Sequence, residues 1–436
     1  MLAAARVVLD RNWLGSSTVP SRSLYPHQWN WDSAFIAIGR SWHEQSRAQQ
    51  ELEVLFDGQW SNGMLPHIVF DPDTPDDAYF PGPRFWQSER AAGCPPQRAT
   101  SGITQPPLHA RAALEIYQRA VDEPEARSFL ERLYPKLVAQ HEYLAGCRDV
   151  TGNGLVAIVH PWESGLDNSP AFDHVLDDLV IPDGALPSYE RRDLVHADPT
   201  HRPTDDAYER FVYLALAYRE VDYDDAVLID RSPFLLEGPL FNAIYLWSTH
   251  ALAEIAGIIG GDPRPHRAAA RRAHDAMLAE LWSDEAGRFV ARDARTGDRD
   301  PNATIISFMP LLDPELPPDI VDRLVGLLES PCFHPSHTEE HYIISSFDLD
   351  ADGFDPQRYW RGPVWLNTNW LVWRGLRQHG RHDVADEVGD SMAALVDRSG
   401  FSEYFSPFDG AGYGSDDFSW SAALLIDRLL REPPAA

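Results

Sequence analysis

Lysine is almost missing from this chain: Lys136 is the only one in 436 residues. Cations are few altogether. Lys and Arg number 37 against 67 Asp and Glu, leaving a formal net charge of −30. A phosphate backbone needs clustered Lys and Arg, so nucleic acid is excluded as a partner, and an anionic membrane surface with it. Cysteine is scarce too. Cys94, Cys147 and Cys332 are odd in number and form no CxxC or Cys/His metal pattern. That argues against a disulfide framework and for a reducing compartment. No apolar run is long enough to span a bilayer. The first ten residues lack the basic start and apolar core of a secretory leader, so the expected location is cytoplasmic.

Several chemical signatures are also lacking. There is no HExxH, no GxSxG elbow and no GxxxxGK followed by Ser or Thr. Asp348-Leu-Asp-Ala-Asp-Gly looks like half an EF-hand loop, but its twelfth position is Tyr359, where a bidentate Glu is required. No metal and no cofactor are expected. Strand patterns are rare and local, and alternating βαβ units are absent, which disfavours a Rossmann sheet or a β/α barrel.

What the chain does contain is helical periodicity. Apolar spacing predicts helices over 2–12, 43–56, 108–117, 125–147, 205–221, 239–259, 264–282, 305–312, 318–328, 364–379, 383–396 and 416–430. A short buried helix fits 34–39, with Asp32 or Ser33 as its cap. A hairpin-like piece surrounds Gly287. About a dozen helices in consecutive pairs, with no fixed-period repeat, can close on themselves as six hairpins. The expected fold is all-α, an (α/α)6 toroid forming one domain over 1–436. The long aperiodic stretches at 60–104 and 149–203 would cover a central cavity, with 400–415 at the same mouth.

The stretch around which the chain is organised is His160-Pro-Trp-Glu-Ser-Gly-Leu-Asp-Asn-Ser-Pro-Ala-Phe. Its prolines and glycine make it a shaped loop, and it sets Glu163 and Asp167 beside Trp162. Arg358 to Trp370 and Phe401 to Gly410 are similar in kind, the second holding Glu403 between aromatics. Aromatic faces pack against pyranose rings, and carboxylates take sugar hydroxyls. The aromatic clusters at 29–31, including Trp29, and at 360–365 fit that use. Cleaving a glycosidic bond needs two carboxyls. One is an acid for the leaving oxygen; the other is a nucleophile roughly 5–5.5 Å away or a base roughly 6.5–9.5 Å away. Asp167 and Glu403 form the expected pair, and burial near Trp162 would raise an acid's pKa. Glu163 is the rival acid, with an ion pair or cap as its alternative role.

Trp31-Asp32, His160-Pro-Trp-Glu-Ser-Gly-Leu-Asp-Asn-Ser-Pro, Arg361-Gly-Pro-Val-Trp and Phe401-Ser-Glu-Tyr-Phe-Ser-Pro, in this order, resemble the motifs of glycoside hydrolase family 63. The likeness is strongest to its short bacterial branch of glucosylglycerate and mannosylglycerate hydrolases. It implies an (α/α)6 catalytic domain and inverting hydrolysis of α-linked sugars, with Asp167 as general acid and Glu403 as general base. Trp31, Asp32, Trp162 and Trp365 would line the sugar subsite. Tyr25, Tyr79, Gln105, Arg202 and Tyr359 would face the aglycone. Glycerate is an anion, so an acidic protein must hold it with a local guanidinium, for which Arg202 is the candidate. Glucose and mannose are not distinguished, a neutral α-disaccharide is the alternative substrate, and a homo-oligomer is left open. Two rivals belong to other classes: an epimerase working through His160, His201, His337 or His341, and a non-catalytic sugar-binding protein.

Overall fold

The structure, a computed structural model, describes residues 1–195, 197–334 and 341–431; His337 lies outside them. Among the described residues helices dominate, and every strand is a two-residue piece. These strands are local antiparallel pins, such as Gln28–Trp29 with Ile68–Val69 and Tyr404–Phe405 with Gly412–Tyr413. The expected hairpin at Gly287 is one of them, pairing Trp282–Ser283 with Arg288–Phe289.

Helix limits follow local chemistry. Asp122 caps Glu123–Cys147 by accepting from the Glu125 N–H, and Thr204 caps Asp205–Glu220 through the Ala207 N–H. Pro239 opens Pro239–Ile259, and Gly260, in the left-handed conformation, closes it. The cap expected at Asp32 or Ser33 is not used. That helix starts earlier, as Asn30–Arg40, and the Ser33 hydroxyl donates to Glu51 Oε1 at 2.8 Å. The helix expected over 264–282 is α-helical only through Arg264–Ala276, then runs on as a π turn. Ile305–Leu312 is a 3₁₀ helix with Pro310 inside it. Asp225–Arg231 was not expected; seven residues are too few for an apolar period to show.

Six elements form a closed ring. Asn30–Arg40, His109–Gln118, Pro239–Ile259, Ile305–Leu312, Leu366–Gln378 and Ser419–Leu430 each pack on the next, and the last packs on the first. Gln45–Phe56, Glu123–Cys147, Arg264–Ala276, Pro318–Leu328 and His382–Ser399 form an outer layer, each against the inner element before it. The sixth outer helix is Leu2–Arg11, which packs on Ser419–Leu430. The sixth hairpin is therefore built from the two ends of the chain, not from neighbours in sequence. Asn12 helps hold this closure, donating to the Asp417 carbonyl at 2.7 Å and to the Ser419 hydroxyl at 2.9 Å. Gly39 allows the first and last inner helices to touch: a Cβ there would lie 2.5 Å from Ala423 Cα. Phe35 and Trp370, both fully buried, meet edge to face inside the ring at 5.8 Å. Each such side chain contributes on the order of 2–3 kcal/mol by leaving water.

Candidate active site

Residues at or just before the N-termini of the inner helices line one cavity. Tyr25, Trp29, Trp31 and Asp32 come from the entry and first turn of Asn30–Arg40, and Gln105 precedes His109–Gln118. Trp162, Asp167 and Arg202 come from the long passage before Pro239–Ile259. Tyr359 and Glu403 come from the connections into Leu366–Gln378 and Ser419–Leu430. Tyr79 reaches in from the loop at 60–104. Eleven of the twelve residues picked from the sequence thus meet in one place. The twelfth, Trp365, does not line the cavity. It stacks on Trp360 at 3.8 Å and on Tyr404 at 4.6 Å between ring centres, and its indole N–H donates to the Tyr359 carbonyl at 2.9 Å. It is the backing of Tyr359, not a wall.

Glu403 is held from three sides. The Tyr25 hydroxyl donates to Oε1 at 2.8 Å, the Ser415 N–H donates to Oε2 at 3.1 Å, and Arg202 Nη1 stands 3.6 Å from Oε1. The glycine-rich turn at 410–414 makes room for this. Gly414 has φ of +73°, and a Cβ on it would collide with Glu403 Oε2. Burial raises the Glu403 pKa against the pull of Arg202 and the Tyr25 hydrogen bond. Asp167 lies in the same cavity. Burial pushes it up to about 7, Arg202 opposes the shift and the charge of Glu403 adds to it. Asp32 is raised as well, again chiefly by burial, and Glu403 adds to that shift too.

The loop of Asp167 is clamped onto the second motif. The Trp360 N–H donates to Asn168 Oδ1 at 3.0 Å, and Arg361 forks onto Asp173 at 2.9 and 2.7 Å. This is what Arg361 does in its motif. Glu163, the rival acid, points elsewhere. It accepts from the Val159 N–H at 2.8 Å and from the Tyr218 hydroxyl at 3.0 Å, and pairs with buried Arg148 at 3.0 Å. It is the ion pair that was its alternative role.

Arg202 is buried, with its guanidinium 4.0 Å from the Tyr359 ring centre. Nη2 donates to the Tyr25 hydroxyl at 3.1 Å and Nε to Asp193 at 3.4 Å, while Nη1 faces Glu403 Oε1 at 3.6 Å and makes no hydrogen bond among the described residues. Asp193, Tyr208 and Trp420 also line the cavity, and none of them was picked from the sequence. Asp193 bridges Arg191 and Arg202. The charge alternation Arg191, Asp193, Arg202 was the one available signal. Histidine chemistry finds no support. His160 is fully buried; its Nε2 meets the Phe211 carbonyl at 2.8 Å, its Nδ1 accepts from the Trp162 N–H at 3.0 Å, and burial lowers its pKa to about 3. His201 and His341 do not line the cavity. His67 does, but its Nδ1 is bonded to the Ser101 hydroxyl at 2.9 Å and burial holds its pKa well below the usual value.

Two carboxyls with raised pKa values, Glu403 buried and Asp167 half-buried, in an aromatic-lined cavity inside a closed double layer of helices, mark a glycoside hydrolase. Similarity to known proteins narrows this further. The profile of the mannosylglycerate hydrolase MGH1-like glycoside hydrolase domain matches residues 25–421, and the chain belongs to that group of glycoside hydrolase family 63. It is 41% identical to a mannosylglycerate hydrolase of Rubrobacter radiotolerans, over 99% of this chain and 97% of that one. It is 38% identical to a glucosylglycerate hydrolase of Mycolicibacterium hassiacum, over 98% and 97%. The crystal structure of a family 63 mannosylglycerate hydrolase from Thermus thermophilus, in complex with Tris and D-glycerate, superposes with a TM-score of 0.91 at 40% identity, covering 99% of this chain and 100% of that one. No described helix is long and apolar enough to cross a membrane.

Proposed function

We propose that this enzyme hydrolyses a small α-linked glycosylglycerate to free hexose and glycerate with inversion, in a single (α/α)6 toroid whose loops at 60–104 and 149–203 roof the cavity. The observation that carries the glycerate reading is the place of Arg202: it is the one guanidinium among the described residues lining the cavity of Asp167 and Glu403, and its Nη1 stands 3.6 Å from Glu403 Oε1. A guanidinium can grip a carboxylate through two N–H groups, which is what an anionic aglycone in an acidic protein requires. Relatives named for mannosylglycerate and for glucosylglycerate fit the same chemistry. In the reaction, Asp167, which a pKa of about 7 keeps about half protonated at neutral pH, gives its proton to the glycosidic oxygen as the bond to the anomeric carbon breaks. Glu403 takes a proton from the water that attacks the opposite face of that carbon. Solvent exchange then returns both carboxyls to their starting states. Trp31, Asp32 and Trp162 hold the hexose; Tyr25, Trp29, Tyr79, Gln105, Arg202 and Tyr359 hold the glycerate side.

The test is an assay of hexose release from mannosylglycerate, glucosylglycerate and a neutral α-disaccharide, with the wild type and with Arg202→Ala. The expected outcome is activity on the glycerates first, with the variant raising KM for them far more than for the disaccharide. Equal losses on charged and neutral substrates would remove glycerate from the assignment. The two glycerates, compared in the wild type, identify the hexose.

A further inference from the structure

Away from the cavity, His334, His341 and Glu387 converge where the chain after Pro318–Leu328 meets the helix His382–Ser399. One donor atom from each lies within 4.8 Å of the others. His334 Nε2 is 2.7 Å from Glu387 Oε1, and the two imidazole rings are 4.9 Å apart. His341 Nδ1 is buried and has no hydrogen-bond partner among the described residues. The cleft beside it is walled by Asp383, Asp386, Asp390 and Ser391 of the helix, with Asp386 paired to Arg377 and Asp390 to Arg428. We infer that this is a binding site for a divalent transition metal of the zinc class, with two imidazoles and one carboxylate as ligands. Borderline-soft ions take imidazole and carboxylate at about 2.0–2.2 Å in tetrahedral geometry, which small side-chain rotations reach from the present spacing; water completes the shell. The bond from His334 to Glu387 is then the resting arrangement of two ligands. An ion here ties His334 and His341 to the helix. The next residue, Tyr342, donates its N–H to the Pro407 carbonyl at 2.8 Å, and Ile343 donates to the Ser391 hydroxyl at 3.0 Å. The site thus braces the loop that carries Glu403 from behind, without touching the reacting groups.

The experiment uses the full chain, stripped with a chelator and titrated with zinc chloride by calorimetry, beside His341→Ala and Glu387→Gln. The expected result is one tight site per chain, weakened roughly tenfold or more in each variant, and a melting temperature that rises with zinc only in the wild type. Hydrolysis by either stripped variant matches that of the stripped wild type, which shows that both are folded. Cobalt substituted for zinc gives visible bands in the wild type that both variants lose. Absence of a tight site in the wild type, or equal zinc affinity in all three proteins, overturns the proposal.

Discussion

Two buried clusters of charge sit at the two ends of the same inner helices, and they are opposites. At the cavity, Asp32, Asp167 and Glu403 stand with one arginine, Arg202, which pairs with Glu403 and Asp193. Burial wins there, and all three carboxyls are raised. Farther along the helices, Glu115 and Asp427 meet Arg111, Arg119, Arg374 and Arg431, with Arg374 and Arg431 reaching Glu115 at 2.7 and 2.5 Å. Burial would raise Glu115, but the four guanidiniums hold it well below the usual carboxylate range, and Asp427 is lowered by Arg431, Arg119 and Arg374. Trp420 lines the cavity while Asp427, on the same helix, lies about 10 Å farther along its axis. The difference separates roles that residue types alone do not. Excess guanidinium around a carboxylate plugs the ring, whereas excess carboxyl around one guanidinium leaves protons ready to move.

The comparison is broken most strongly by removing the charges themselves. Asp167→Asn and Glu403→Gln should each lower kcat by about a thousandfold or more and leave the circular dichroism spectrum native; retained turnover in either removes that residue from the chemistry. At the other cluster, Glu115→Gln should leave turnover per folded molecule nearly intact but cost roughly 3–5 kcal/mol in denaturant unfolding, since it strands buried arginines. A sharper and smaller test uses pH. Asp167 has a folded pKa of about 7, above its unfolded value, so ionising it costs stability as pH rises from the unfolded pKa through 7. Asp167→Asn should therefore be more stable than the wild type at pH 8 by roughly 2 kcal/mol, less than three pK units would give because water reaches the cavity, and equal to it near pH 4. Glu115 has the opposite sign, its contribution being present above the unfolded pKa and lost as pH falls. An Asp167→Asn variant no more stable at pH 8 than at pH 4, relative to wild type, would contradict the raised pKa.

Much of this was legible beforehand for a physical reason. Helices that bury a stripe write it into their period, and loops that hold a sugar site concentrate aromatics, glycines and carboxylates within a few residues. Hence the ring helices and the loops of Asp167 and Glu403 could be read directly. What could not be read depends on contacts between distant residues. The pairing of Leu2–Arg11 with the last helix has no local signature. Asp193 lines the cavity and pairs with both Arg191 and Arg202, and Trp365 looked like a wall because its motif does not say which side of Tyr359 it takes. The Arg111, Glu115, Arg119 spacing announced ion pairs on a helix, but Arg431, 316 positions from Glu115, is needed to show that they are buried.

Asp167 and Glu403 are proposed to act from opposite faces of one glycosidic bond, with water between the sugar and Glu403. Proton NMR of the hexose in the first seconds of hydrolysis of its α-glycoside tests this directly. The account predicts that the β-anomer appears first and mutarotates afterwards. The α-anomer as first product would mean that a carboxylate attacks the sugar itself, and would contradict it.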